Sequence, residues 1–465
     1  MREMDRRRFL GAVAAGCGAA AWATAETPAE TRPPNIVFIV VDDMGWADLG
    51  CYGSKAIQTP RIDRMAAEGM RFTQAYSGCT VCAPARSTLM TGTHMGHTSV
   101  RGNTGGIPLP DADVTVAEML KAAGYATGGF GKWGLGDLDT PGVPERQGFD
   151  LFYGYYHQIH AHTYYPEYLI RNGEKELLPG NRDGKQEQYS QDLIFAETLD
   201  FIRKHHDRPF FCYAPWTPPH GKYQIPEDEP AWQQYADKDW PKKARVAAAM
   251  DTMIDRQVGQ LLDLLDALDI ADNTIVFFCS DNGAAHRFEG SLDSSGPLRG
   301  QKRDLYEGGI RVPMVVRWPG KIAGGTTSAL PCYFPDMLPT FADLSRAEAP
   351  KKSDGMSILP TLLDTAEQPH DRHLYWEWPS YNWRKRAYEP KGLMQAVRHG
   401  DWKLVRHEHG KPWELYNLAE DIGEEHNLAK KHPDKVAALA AWIDENRVEP
   451  PPQLEPEKPE GRRYR

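Results

Sequence analysis

Beyond its first 25 residues this 465-residue chain has no apolar run long enough to cross a bilayer, which excludes a membrane-spanning bundle as its body. Excess positive charge is missing as well. Lys and Arg number 54 against 64 Asp and Glu, and a net charge of −10 argues against nucleic acid as a partner. Cysteine is scarce, and the seven present are too spread out for a small disulfide framework. Cys79 and Cys82 form a Cys-x-x-Cys pair, but no second pair exists to complete a structural zinc site. Internal repeats are absent. What is present is an ordinary globular composition, 41% hydrophobic and 25% charged, with length for one large domain or two moderate ones. A chain of this sign repels anionic substrates at long range, so a site for one would need a local cluster of cations or a metal ion.

The first 25 residues read as an address. Arg6-Arg7-Arg8-Phe9-Leu10 resembles a twin-arginine export motif, an Ala/Gly-rich stretch from Gly11 to Ala23 follows, and Ala23-Thr24-Ala25 has the small-x-small form of a cleavage site. The expected location is periplasmic or extracellular. A lipoprotein anchored through Cys17 is the alternative, although the Leu that usually opens such a motif is absent.

From 34 to 365 apolar strand-like runs alternate with amphipathic helices, the pattern of an α/β domain around a large, mainly parallel central sheet flanked by helices. Residues 35–41, 209–214 and 274–279 are continuous apolar runs, as strands covered on both faces should be. Between the last two, Val246, Met250, Met253, Ile254, Val258, Leu261, Leu265 and Leu268 recur at helical spacing and predict a core-facing helix over 243–268. Residues 366–448 change texture: short strands at 402–405 and 414–418 and a helix over 433–447 predict a small C-terminal antiparallel subdomain. The tail, 449–465, is Pro/Glu/Arg-rich and expected to be mobile.

Chemistry gathers where the apolar runs stop. The first terminates in Asp42-Asp43 and the third in Ser280-Asp281-Asn282-Gly283. In an open α/β sheet, sites form outside the carboxyl ends of the strands, so these distant residues are expected to converge. Three carboxylates and an amide oxygen are hard donors suited to Ca²⁺ or Mg²⁺. Cations fall in the same topological position: Lys132 after 126–131, His220 after 209–219, and Gln301-Lys302-Arg303 ahead of Glu307-Gly308-Gly309-Ile310-Arg311. With Arg86 they form the cationic cluster that the negative net charge demands.

Cys82-Ala83-Pro84-Ala85-Arg86, ahead of Ser87-Thr88-Leu89-Met90-Thr91-Gly92, resembles the Cys-x-Pro-x-Arg signature of type I sulfatases of the alkaline-phosphatase superfamily. The order Asp-Asp, Cys-x-Pro-x-Arg, Gly-Lys-Trp, Pro-Pro-His, Ser-Asp-Asn-Gly, Lys and Glu-Gly-Gly-Ile-Arg-Val-Pro extends that resemblance over 34–430. It implies an alkaline-phosphatase-like fold and the hydrolysis of sulfate monoesters, here on a sulfated carbohydrate. It further implies that a maturation enzyme oxidises Cys82 to formylglycine (3-oxoalanine). Asp42, Asp43, Asp281 and Asn282 would bind one calcium ion, with the modified Cys82 facing it. Arg86 and Lys132 would hold the formylglycine and the sulfate, while His220 and Lys302 would bind sulfate oxygens and assist protonation of the departing alcohol.

One departure stands out. Sulfatases usually carry Lys-x-His where this chain has Lys132-Trp133-Gly134, and that histidine is thought to take the proton released when sulfate is eliminated. Histidines in 93–103 and 155–166 are the candidates to replace it, His162 first and His97 second. Trp376, Trp378, Tyr381 and Trp383 offer aromatic platforms for sugar, and galactose or N-acetylgalactosamine 6-sulfate is the analogy-based expectation for substrate. Two other functions fit parts of the pattern. One is a phosphodiesterase or phosphonate hydrolase of the same superfamily, disfavoured because Asp and Asn occupy the metal positions. The other is a sulfated-glycan-binding protein without turnover.

Overall fold

The computed structural model describes residues 32–452 apart from 383–386, with side chains described outside 380–391. The twin-arginine segment, Cys17, Trp383, the Tyr381 side chain and the tail past 452 lie outside the described residues.

Four parallel strands form the middle of a ten-stranded sheet: β1 (Asn35–Asp42), β2 (Ala126–Lys132), β3 (Phe210–Pro219) and β4 (Thr274–Ser280), in the spatial order β4-β1-β3-β2. Every residue of these four strands is buried, which is why they read as unbroken apolar runs rather than alternating ones. Outside β2 lie the parallel strand Leu151–Tyr155 and an antiparallel hairpin, Tyr168–Arg171 and Glu174–Leu177. Outside β4 the antiparallel Met314–Arg317 is followed by Met70–Phe72 and Thr326–Ser328. Antiparallel pairs are thus confined to the two flanks.

Helices cover both faces. Helix α1 (Cys82–Thr91) is buried throughout its ten residues, and α2 (Lys242–Ala267) turns the predicted apolar stripe into the core beside β1 and β3. Gly131 shows how closely β2 and β3 approach. It sits at φ +136, and a Cβ there would lie 2.1 Å from the Pro215 carbonyl oxygen, so only glycine fits.

The C-terminal segment forms a four-stranded antiparallel sheet through 373–417, followed by α3 (Pro433–Glu445). The described residues from Pro33 onward form one compact unit, and the second sheet is tied to the first layer by buried polar contacts. Lys403, fully buried, lies 2.9 Å from both Glu307 and Glu424, and Arg101 donates to Glu377 at 3.0 Å. Trp376 belongs to this joint. It is wholly buried, packs on Tyr76 and donates from Nε1 to the Ser77 carbonyl, so it is no sugar platform.

Candidate active site

The carboxyl ends of β1, β3 and β4 and the N-terminus of α1 meet at one buried cluster. Cys82 opens α1 with its Sγ 3.2 Å from Asp42 Oδ1 and 3.2 Å from Lys302 Nζ. Lys132, the last residue of β2, reaches Asp42 Oδ2 at 2.5 Å. Arg86, one helical turn after Cys82, donates from Nε and Nη2 to Asp281 Oδ2 at 3.1 and 2.7 Å and from Nη1 to the Lys132 carbonyl at 2.6 Å. Asp43 accepts from Asn282 Nδ2 at 2.7 Å and from Lys302, and His220 Nε2 stands 3.7 Å from its other oxygen. Asp43 adopts φ +71, a left-handed turn that aspartate tolerates better than most residues and that swings its carboxylate toward Asn282.

Three carboxylates and three cationic side chains therefore share a buried volume. Burial pushes Asp42 up, but the permanent charges of Lys132, Lys302 and Arg86 hold it well below the usual carboxylate range. Burial and the charge of Asp42 push Asp281 up to about 6 despite Arg86, and burial leaves Asp43 raised despite Lys302. Burial and Asp42 push the Cys82 thiol up to about 12, so an unmodified Cys82 is a neutral, inert thiol near neutral pH and not a thiolate nucleophile. Burial also drives His220 well below 6.5, leaving a neutral imidazole in the substrate-free protein.

The donor set fits a hard divalent cation. Asp42, Asp43, Cys82 and His220 have ligand-capable atoms within 4.8 Å of one another. Asn282 Oδ1 is buried without a hydrogen-bond partner, an acceptor that a cation would satisfy.

Gly134, at the position where the resemblance leads one to expect a histidine, sits at φ +79. A Cβ there would point at Gln158, whose Oε1 would be 3.3 Å away and is buried without a partner. Gln158 Nε2 donates to Asn103 Oδ1 at 2.6 Å, and the same oxygen accepts from the Ala83 backbone at 3.2 Å. Both amides lie inside the histidine-bearing segments 93–103 and 155–166, where an amide has no spacing signature to mark it. His162 does reach the cluster: its ring stacks on His220 at 4.7 Å, and burial, Lys132 and other cations lower it to about 4. His97 does not. It lies beyond the far end of α1, a helix about 15 Å long, bonded to Asp354 at 2.9 Å and stacked on His94. It follows Arg86 by only eleven residues, but α1 turns that nearness in the chain into separation in space.

Residues 34–347 match the sulfatase family, and 300–447 match the family described as N-sulphoglucosamine sulphohydrolase, C-terminal. The chain belongs to the sulfatase family. Arylsulfatase A of Homo sapiens is 33% identical over 470 residues, covering 91% of this chain and 86% of that protein. The N-acetylgalactosamine-6-sulfatase of Rattus norvegicus is 35% identical over 363 residues, covering 71% and 66% respectively. Among solved structures, that of Ps i-CgsB in complex with k-i-k-neocarrahexaose has a TM-score of 0.76 at 29% identity, covering 90% of this chain and 94% of that one. The phosphonate monoester hydrolase of Agrobacterium radiobacter also superimposes, with a TM-score of 0.67, but at 20% identity it shares the fold alone. As a sulfatase, the protein is a sulfuric ester hydrolase, and the phosphodiesterase or phosphonate-hydrolase and binding-only alternatives give way to that reading.

Proposed function

We propose that this sulfatase cleaves sulfate monoesters of a carbohydrate with a formylglycine matured from Cys82 and a calcium ion held by Asp42, Asp43, Asp281 and Asn282. The observation that carries this is the buried meeting of an inert Cys82 thiol with three carboxylates, three cations and an orphaned amide oxygen. Formylglycine supplies a hydrated aldehyde, one hydroxyl as nucleophile toward sulfur and the other as the route back to aldehyde. Calcium supplies positive charge that favours ionisation of that diol.

The residues of the chain do the rest. With the carboxylates and cations already balanced among themselves, a divalent ion adds two positive charges, and these match one ester anion and one ionised hydroxyl. Arg86 and Lys132 hold position 82 and the sulfate by charge-assisted hydrogen bonds that need no reorganisation, because Asp281 and Asp42 already fix them. Lys302, beside Cys82 Sγ, faces the sulfate oxygens and can place a proton donor at the bridging oxygen. His220 is neutral until an anion arrives, and a sulfate beside it favours the imidazolium, arming a proton for the departing alcohol. His162, a neutral imidazole stacked on His220, is the residue proposed to take the last proton in place of the histidine absent at Gly134.

For substrate, the likeness to an N-acetylgalactosamine-6-sulfatase supports N-acetylgalactosamine 6-sulfate, and galactose 6-sulfate enters by analogy with that sugar. Export through the twin-arginine route, which carries proteins already folded, suits a chain modified on its cysteine beforehand. Mass spectrometry of the peptide containing residue 82 tests the maturation: loss of about 18 Da relative to cysteine is expected. An unshifted peptide in protein that releases sulfate from sulfated sugars would sink the formylglycine reading, and no release from any sulfated sugar would sink the carbohydrate one.

A further inference from the structure

An open, shallow cationic cavity of about 560 Å³ has walls that include Lys242, Lys243, His286, Arg287, Phe288 and Gln301. Gln301 directly precedes Lys302, whose ammonium contacts Asp43 and Cys82. The loop carrying His286, Arg287 and Phe288 leaves β4 just after Asp281 and Asn282, and the Lys302 backbone donates to Ala284 at 2.9 Å, so the two loops run together. The third wall is the first turn of α2, where Lys242 and Lys243 are exposed and no acidic residue intervenes.

An aromatic wall spans the interval. Tyr223 adopts φ +47 after His220, and its phenol, pushed up chiefly by burial, also feels Asp43 and Lys302. Its ring lies 6.1 Å from His286 and 5.8 Å from Phe288, which are 5.4 Å from each other. Glu289 also lines the cavity, but it is 78% exposed and 3.7 Å from Arg287, a solvent-screened pair that leaves Arg287 Nε without a hydrogen bond. In a chain with more acids than bases, this makes a local positive field beside an anion site.

We propose that this cavity is a subsite for a second anionic group, a sulfate or a carboxylate, on a neighbouring sugar of the same oligosaccharide. Tyr223, His286 and Phe288 flank the intervening ring, and Lys242, Lys243 and Arg287 take the anion. The inference rests on the sulfated-carbohydrate reading above. It makes the preferred substrate an oligosaccharide with more than one negative charge.

The test compares the protein with the triple variant Lys242→Ala, Lys243→Ala, Arg287→Ala on two probes. 4-Nitrophenyl sulfate carries no second anion; a chondroitin 6-sulfate tetrasaccharide carries carboxylate and sulfate on alternate sugars. Binding of the tetrasaccharide is measured by calorimetry in a Cys82→Ala background, where turnover cannot intervene. Its Kd is expected to weaken about tenfold in the triple variant and to lose part of its salt dependence. The kcat/KM for 4-nitrophenyl sulfate should stay within about twofold, since no contact to that probe is removed. With a carboxyl-reduced tetrasaccharide, a persisting difference assigns the subsite to sulfate and a vanished one to carboxylate. Unchanged tetrasaccharide affinity, no tetrasaccharide binding at all, or equal losses on both probes would overturn the subsite. A wild-type protein that hydrolyses the aryl sulfate and no sulfated sugar would instead mark failure of the carbohydrate reading itself.

Discussion

Replacing Arg86 with methionine removes a guanidinium that is wholly buried and carries three hydrogen bonds, two of them to Asp281. Breaking a buried pair from one side costs about 3–5 kcal/mol, a large share of a total stability of about 5–15 kcal/mol. The pH dependence makes the reasoning specific. Asp281 is already raised to about 6 with Arg86 in place. A carboxyl raised above its unfolded value opposes folding when ionised, so the protein loses stability as pH rises through about 6 and not as it falls. Without Arg86 the raised value moves higher, and the loss continues to higher pH. The penalty for Arg86→Met should therefore be larger at pH 7 than at pH 5, by up to about 1.4 kcal/mol, one unit of pKa. Urea unfolding followed by tryptophan fluorescence, in chelator at the two pH values, measures it. Asp281→Asn added to Arg86→Met should recover part of the loss and erase the pH difference. Equal penalties at both pH values, or a double variant no better than the single, would refute the account of this buried pair.

Four further outcomes are expected. Chelating divalent cations should abolish sulfate release and lower the melting temperature, and added calcium should restore both; activity indifferent to chelation would exclude the proposed metal role. His162→Ala should release about one equivalent of alcohol in a burst and then turn over at least about 10²-fold more slowly, whereas an unchanged steady rate rejects His162 as the replacement base. Lys403→Met leaves Glu424 without its cation, while Glu307 keeps Arg311 and Tyr76, and should cost about 3–5 kcal/mol, with kcat/KM per folded molecule intact; denaturation midpoints and active-fraction assays separate the two effects. Asp255 accepts the backbone N–H groups of Arg61 and Ile62, and burial pushes it up to about 6, so its ionisation too opposes folding. Asp255→Asn keeps an acceptor oxygen and should flatten part of the stability loss between pH 5 and 7, seen as converging unfolding midpoints.

The parallel core was legible because burial on both faces demands unbroken apolar runs, and 35–41 and 274–279 show them undiluted. The strand from 210 extends five residues past its predicted end, through Pro215, Trp216 and Pro218, because it is buried along its length and its backbone pairs with β1 despite the prolines. Helix α2 was visible from periodicity to within a residue or so at each end. The aromatic platform failed at Trp376 for the opposite reason: one aromatic residue reads the same whether it faces sugar or the joint between two sheets.

From its motifs alone, the chain determined the chemistry that must gather: hard oxygen donors at two strand ends, a cysteine opening a helix, and cations at three further turns. Those residues are set by what each must bind, and short segments carry that information. Only the tertiary structure decided which groups share a space. It put Arg86 on Asp281, Lys302 between Asp43 and Cys82, His162 on His220, and His97 at the wrong end of α1. It also filled the direction of the missing side chain at Gly134 with Gln158. Such pairings join residues up to 259 positions apart, and the sheet register that aligns them is a property of the whole packed core.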